Sequence, residues 1–203
     1  DAADLNWKLI NPDIFGSMIQ AIADAKARSE LGMHYTSVPN IMKVLGPLLL
    51  DDLDAALDKV WDRAAGLRAQ LLRLSNIRVF DPACGSGNFL VVAYRCLRDR
   101  EIRILKRLGE LEANPQNVMF SSVSLNQFYG IELTDFAAET AKLALFIAEY
   151  QANARFADVF GPDALAEAPR RGLTASRPSR GWTRRRPPAC AAVHRASRAR
   201  PPT

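Results

Sequence analysis

The sequence predicts an α/β domain of the nucleotide-binding kind, entered through a run of helices and incomplete at its C-terminal end. Three observations predict it. Ile77-Arg78-Val79-Phe80, β-branched and aromatic, leads into an acid and a glycine turn, Asp81-Pro82-Ala83-Cys84-Gly85-Ser86-Gly87-Asn88-Phe89-Leu90, and then into an amphipathic helical run. A second short run, Phe128-Tyr129-Gly130-Ile131, also closes on an acid, Glu132, ahead of a second helical run. Apolar periodicity then stops near Gly161.

Length and composition bound the rest. The 203 residues have room for one domain and a tail, and 48% hydrophobic with 24% charged residues is a globular balance. The formal charge of +5 points to a nucleic-acid binder until it is divided along the chain. Residues 1–160 hold 17 Lys and Arg against 20 Asp and Glu, whereas residues 161–203 hold 10 against 2. The basic character is therefore the tail's, and the folded part shows no DNA-binding charge. Cys84, Cys96 and Cys190 form neither a CxxC pair nor an even framework, which argues against a disulfide scaffold or a zinc site and for a reducing compartment. No apolar run approaches membrane-spanning length, and the N-terminal stretch lacks a basic region followed by an apolar one. The chain also begins at Asp1, so it reads as a cytoplasmic fragment.

The elements follow in order. Trp7, Ile10, Ile14, Phe15, Met18, Ile19 and Ile22 form a stripe at helical spacing; Pro12-Asp13 suits a helix start, and a packing helix is expected over Ser17–Ser29. Gly32 breaks it, and Ser37 before Val38-Pro39 can cap the next helix. Ile41, Val44, Leu45, Leu48, Leu49 and Leu53 make a buried face, kinked or divided at Gly46-Pro47. Asp51, Asp52, Asp54 and Asp58 read as a solvated face rather than a metal site. Residues 59–75 continue as a helix around Trp61, Leu67, Leu71 and Leu72. After the glycine turn, Phe89–Leu108 buries Leu90, Ala93, Leu97, Ile104, Leu105 and Leu108. Its arginines, Arg95, Arg98, Arg100, Arg103 and Arg107, alternate with Asp99, Glu101 and Glu110 and read as a solvated face. Residues 109–125 read as a loop. The helix from Phe136 to Asn153 is expected to bury Phe136, Leu143, Ile147 and Tyr150.

The chemistry sits at the two strand ends. Gly85 and Gly87, lacking Cβ, permit positive φ and close approach of a ligand, and the N–H groups opening the helix favour a polar partner. Leu90 stands where a dinucleotide fingerprint has its third glycine, and no Gly-Lys-Ser/Thr follows, so neither a dinucleotide motif nor a P-loop is complete. Glu132 closes the second strand, where a carboxylate can take ribose hydroxyls. Ile131 or Leu133 could pack on a base, although the acid lies farther from the loop than the usual ~20 residues.

Asp81 to Phe89 resembles the D-P-x-x-G-x-G-x-F motif of S-adenosylmethionine (SAM)-dependent DNA adenine-N6 methyltransferases. Phe128–Leu133 is similar to their second motif, His34-Tyr35-Thr36 to the segment preceding the SAM loop, with Ser37 in place of the commonest proline, and residues 11–20 to the lead-in of bacterial restriction–modification fusions. Over residues 5–160 the likeness is greatest to the methyltransferase part of MmeI-like restriction–modification enzymes. It implies a Rossmann-like class I SAM-dependent methyltransferase fold, here incomplete, with a helical lead-in over 1–75 and the cofactor-binding part over 76–160. It implies SAM contacts from His34, Tyr35, Thr36, Asp81, Pro82, Ala83, Cys84, Gly85, Ser86, Gly87, Asn88, Phe89, Glu132 and Leu133, and no metal. The implied partner is double-stranded DNA, engaged through a recognition region missing from this chain.

The family's catalytic Asn/Asp-Pro-Pro-aromatic tetrapeptide is absent; Asn11-Pro12-Asp13 and Asn114-Pro115-Gln116 lack its second proline. The chain alone is therefore expected to be inactive and to bind SAM poorly. Residues 161–203, with ten Arg, seven Pro and no Lys, Ile, Phe or Met, are expected to be disordered or out of frame, a nucleic-acid-binding tail being the other reading. Two alternatives stay open for the whole: a catalytically dead SAM-binding remnant, and a fragment of an RNA or protein methyltransferase. Target sequence and oligomeric state are not written in the chain.

Overall fold

The computed structural model describes residues 6–11, 14, 17, 36–112 and 121–161, together with the backbone of 192–195. The helix predicted over Ser17–Ser29, apart from Ser17, and the centre of the loop before the second strand lie outside the described residues. Helix α1 (Val38–Leu45) runs into α2 (Asp51–Asp58) through a π-helical turn, Gly46–Leu50. That turn is the predicted interruption at Gly46-Pro47. Proline has no N–H and its ring crowds the preceding turn; widening the coil, with Asp51 N–H donating to Gly46 O, accommodates it. Helix α3 (Ala64–Asn76) begins five residues later than expected, after a turn at 59–63 that lays Val60 against Gly66; a Cβ on Gly66 would sit 2.6 Å from that of Val60.

The remaining elements alternate: β1 (Val79–Asp81), α4 (Asn88–Glu112), β2 (Phe128–Glu132) and α5 (Asp135–Phe160). Strands β1 and β2 pair in parallel, Val79 with Phe128, Phe80 with Tyr129 and Asp81 with Gly130. A third parallel strand, β3 (Ala192–Arg195), pairs with the other edge of β2. The sequence reading expects no regular structure after 161, and this strand departs from it. Its four residues pair through the main chain, which the unpaired edge of β2 offers to any extended segment.

Helix α4 is the centre of the core, touching α1, α3, α5 and both first strands. Its predicted face is buried as expected, and Tyr94 meets Phe128 edge-on with ring centroids 5.4 Å apart. Two expectations need correction. On α5 the inward face is Ala137, Ala138, Ala141, Ala144, Leu145, Ile147 and Ala148, while Phe136 (61%), Leu143 (45%) and Tyr150 (50%) are exposed. Small residues at helical spacing let α5 lie close to its neighbours, so the bulky side chains point outward.

On α4, Arg98 and Glu101 are not solvated but fully buried, joined at 2.8 Å. Arg98 also donates to Asn153 Oδ1 at 3.0 Å and stacks over Phe156, while Glu101 accepts from Ser121 Oγ and from the Ser122 and Val123 amides. The pair pins the end of the loop to both long helices. Elsewhere the charges of α4 find partners on neighbouring segments, Arg100 with Asp54 and Arg107 with Asp62, and within the helix, Arg107 with Glu110. The acids of α2 are used in the same way, Asp52 pairing with Arg73.

Candidate functional site

The site forms where β1 and β2 end side by side. Parallel pairing brings Asp81 opposite Gly130, so the turn after β1 and the acid after β2 emerge at one edge of the sheet. The turn is built by local bonds. Ala83 N–H donates to Asp81 Oδ1 at 3.0 Å, folding the carboxyl back over the turn. Cys84 N–H donates to Ile131 O at 3.0 Å, fastening the turn to β2, and Gly87 N–H closes on Cys84 O at 2.7 Å. Val91 N–H to Gly87 O, at 2.9 Å, then starts α4.

The glycines have separate tasks. Gly85 (φ +53°) and Gly87 (φ +82°) both occupy the left-handed region. A Cβ on Gly85 would meet nothing within 4 Å, so this glycine faces open space on the outer side of the turn. A Cβ on Gly87 would lie 2.9 Å from Ala141 Cβ and 3.1 Å from its Cα, so here glycine lets α5 pass close behind the turn. Gly130 does the same from β2, since its Cβ would reach Cys84 Sγ at 2.7 Å. Neither Gly130 nor Ala141 stood out as a site residue in the sequence, though a glycine inside a strand is a signal of close backbone approach.

Glu132 joins the two strand ends. Its Oε2 accepts the Gly85 N–H at 2.9 Å; its Oε1 accepts the Thr134 N–H at 3.0 Å and the Thr134 hydroxyl at 3.2 Å. Thr134 holds the N-cap position of α5, but its side chain makes no cap bond. Its hydroxyl serves the carboxylate instead. Two acids thus face one turn. Burial raises the Asp81 carboxyl above its ordinary range, the Ala83 N–H opposes this, and the Glu132 charge adds to the rise. The Cys84 thiol is pushed up to about 12, first by burial and then by the Asp81 and Glu132 charges, so it stays protonated at neutral pH.

Most of the predicted residues come together here. Asp81, Pro82, Ala83, Cys84, Gly85, Ser86, Gly87, Asn88 and Phe89 form the turn and the first residues of α4, with Glu132 and Leu133 beside them. Asn88 and Gly87 are buried, Pro82 and Ala83 exposed, and Phe89 packs at the rim of the core. The His-Tyr-Thr segment is only partly visible. Thr36 is an exposed residue just ahead of α1, and His34 and Tyr35 lie outside the described residues. The arrangement offers glycine backbone open on one side and two carboxylates on the other. It suits a polar, phosphate-free ligand with hydroxyl donors or positive charge.

This combination of parallel strands, glycine turn and strand-end acid is that of a ligand site at the strand ends of an α/β sheet. The family described as "MmeI, DNA-methyltransferase domain" matches residues 57–168, more than half of the chain, and the chain belongs to it. DNA methyltransferase A of Bacillus subtilis (strain 168) is 57% identical over 149 residues, covering 73% of this chain and 17% of that protein. A putative type II restriction enzyme and methyltransferase of Methanocaldococcus jannaschii is 29% identical over 169 residues, covering 68% of this chain and 14% of that one. Among solved structures, the type IIL restriction–modification enzyme MmeI in complex with DNA superimposes with a TM-score of 0.71 at 42% identity, over 77% of this chain and 21% of MmeI. The chain therefore spans about a fifth or less of the length of these relatives. Among the described residues no helix is long and apolar enough to cross a membrane.

Proposed function

We propose that this chain carries the SAM-binding part of a DNA adenine-N6 methyltransferase of a cytoplasmic restriction–modification system. The observation that carries the reading is the Glu132 carboxylate hydrogen-bonded to Gly85 at the mouth of the glycine turn, with Asp81 beside it. Two carboxylates facing the turn repel a phosphate, which sets this site apart from dinucleotide and P-loop sites whose amides cradle anions. A nucleoside bearing a cationic sulfonium in place of phosphates is the complementary ligand, and Glu132 can accept from its ribose. When bound, SAM supplies an electrophilic methyl group. The chain's own residues bind and orient: Gly85 allows close approach, Asp81 and Glu132 contribute negative charge, and Ile131 or Leu133 is proposed to pack against the base. His34, Tyr35 and Thr36 are proposed to cover the methionine end.

The adenine-N6 assignment rests on the form of the Asp81–Phe89 motif, and the DNA partner on the family and on the bound DNA of MmeI. In this reading residues 1–75 are the lead-in and 76–160 part of a Rossmann-like domain. The family match ends at 168, and the composition beyond it favours an out-of-frame or otherwise foreign tail. Because the 203 residues contain no Asn/Asp-Pro-Pro-aromatic tetrapeptide, this polypeptide is proposed to bind cofactor without transferring methyl. Equilibrium dialysis with labelled SAM tests the reading. Weak binding that Glu132→Ala abolishes is expected, with no label passing to DNA. Binding that survives Glu132→Ala overturns the assigned site, and label on DNA overturns the inactivity.

A further inference from the structure

We infer that Thr134 is a positioning residue of this site, one that fixes which oxygen of Glu132 a ligand hydroxyl can reach. A carboxylate offers about four lone-pair positions, two on each oxygen. The Thr134 N–H and hydroxyl both converge on Oε1, at 3.0 and 3.2 Å, and so fill that oxygen. Gly85 N–H takes one position on Oε2, at 2.9 Å. One position remains, on Oε2, the oxygen that meets the Gly85 N–H. Glu132 therefore presents a single acceptor at the turn, locked from behind by Thr134. The hydroxyl is free for this because it makes no cap bond to α5, so removing it spares the helix start. The ribose role of Glu132 rests on the SAM reading; the orienting role of Thr134 does not.

Two measurements on the full chain separate the two. The first needs no ligand: the NMR amide resonance of Gly85, which senses the carboxylate it donates to. Thr134→Val should move this resonance toward its position in Glu132→Gln, and Thr134→Ser should leave it in place. An unmoved Gly85 resonance in Thr134→Val overturns the proposal whatever the ligand does. The second is titration with S-adenosylhomocysteine and its 2′-deoxy and 3′-deoxy analogues. The unmodified chain should disfavour one deoxy analogue by roughly tenfold, the effect of a hydrogen bond to a charged acceptor. Thr134→Val should erase most of that discrimination and Thr134→Ser should keep it; equal discrimination in both variants overturns the proposal. If the Gly85 resonance behaves as stated and no S-adenosylhomocysteine binds, the SAM reading fails and the positioning role stands.

Discussion

Gly87 is the residue at which the turn is most constrained. It combines φ +82° with contact against Ala141, whereas Gly85 has φ +53° and open space. Alanine at Gly85 meets only the backbone penalty, about 1–2 kcal/mol. Alanine at Gly87 adds a clash with a helix that cannot retreat from the core, so its loss should be larger, about 2–4 kcal/mol. Urea denaturation of the two variants checks the order; equal losses would mean that α5 does not press on the turn. Asp81 gives a pH-dependent prediction. Its carboxyl is raised in the folded chain, so the folded state holds that proton more tightly than the unfolded one. The group then weakens the fold as pH rises through its raised value and has no effect below the ordinary carboxylate range. Asp81→Asn should therefore be more stable than the unmodified chain at neutral pH, and the gap should close toward about pH 4, near the unperturbed carboxylate value. Urea midpoints across that range read it directly; a gap that widens on acidification would reverse the sign.

At the scale of elements, α4 and α5 are held by a buried polar pair as well as by apolar packing. Arg98 and Glu101 are almost wholly removed from water, and among the described residues Arg98 Nε has no hydrogen-bond partner. Removing one member strands the other charge in the core, a loss of about 3–5 kcal/mol. Arg98→Leu and Glu101→Leu should each show it in thermal unfolding, and the double variant should lose less than the sum of the two. Additive losses would mean the two side chains act independently. This pair also marks what the sequence could not convey. Arginines and acids alternating along a helix look the same whether they face solvent or a partner, and Asn153 and Ser121, which complete the network, are distant in sequence. The alanine face of α5 was illegible for a related reason: its bulky residues follow helical spacing too, and only packing decides which stripe turns inward. The helix positions themselves and the buried face of α4 were plain, because Leu90, Ala93, Leu97, Ile104, Leu105 and Leu108 repeat with one period and no competing stripe.

Over the whole molecule, the parallel sheet makes one site from two segments 47 residues apart in sequence. The strand–acid–glycine–helix order was readable because each part has a local signature. The bond from Gly85 to Glu132 was not, since it depends on register between β1 and β2. The tail shows the opposite limit: its composition carries no strand signal, yet Ala192–Arg195 lies along β2, held through backbone pairing that residue types do not encode. The Gly85–Glu132 corner is proposed to bind an adenosyl ligand without phosphates. Backbone NMR of the intact chain, titrated separately with S-adenosylhomocysteine and with ATP, tests it most directly. S-adenosylhomocysteine should shift the amides of Asp81–Asn88 and Glu132–Thr134, and ATP should leave them in place. Shifts at these amides with ATP, or none with S-adenosylhomocysteine at saturating millimolar concentration, would contradict it.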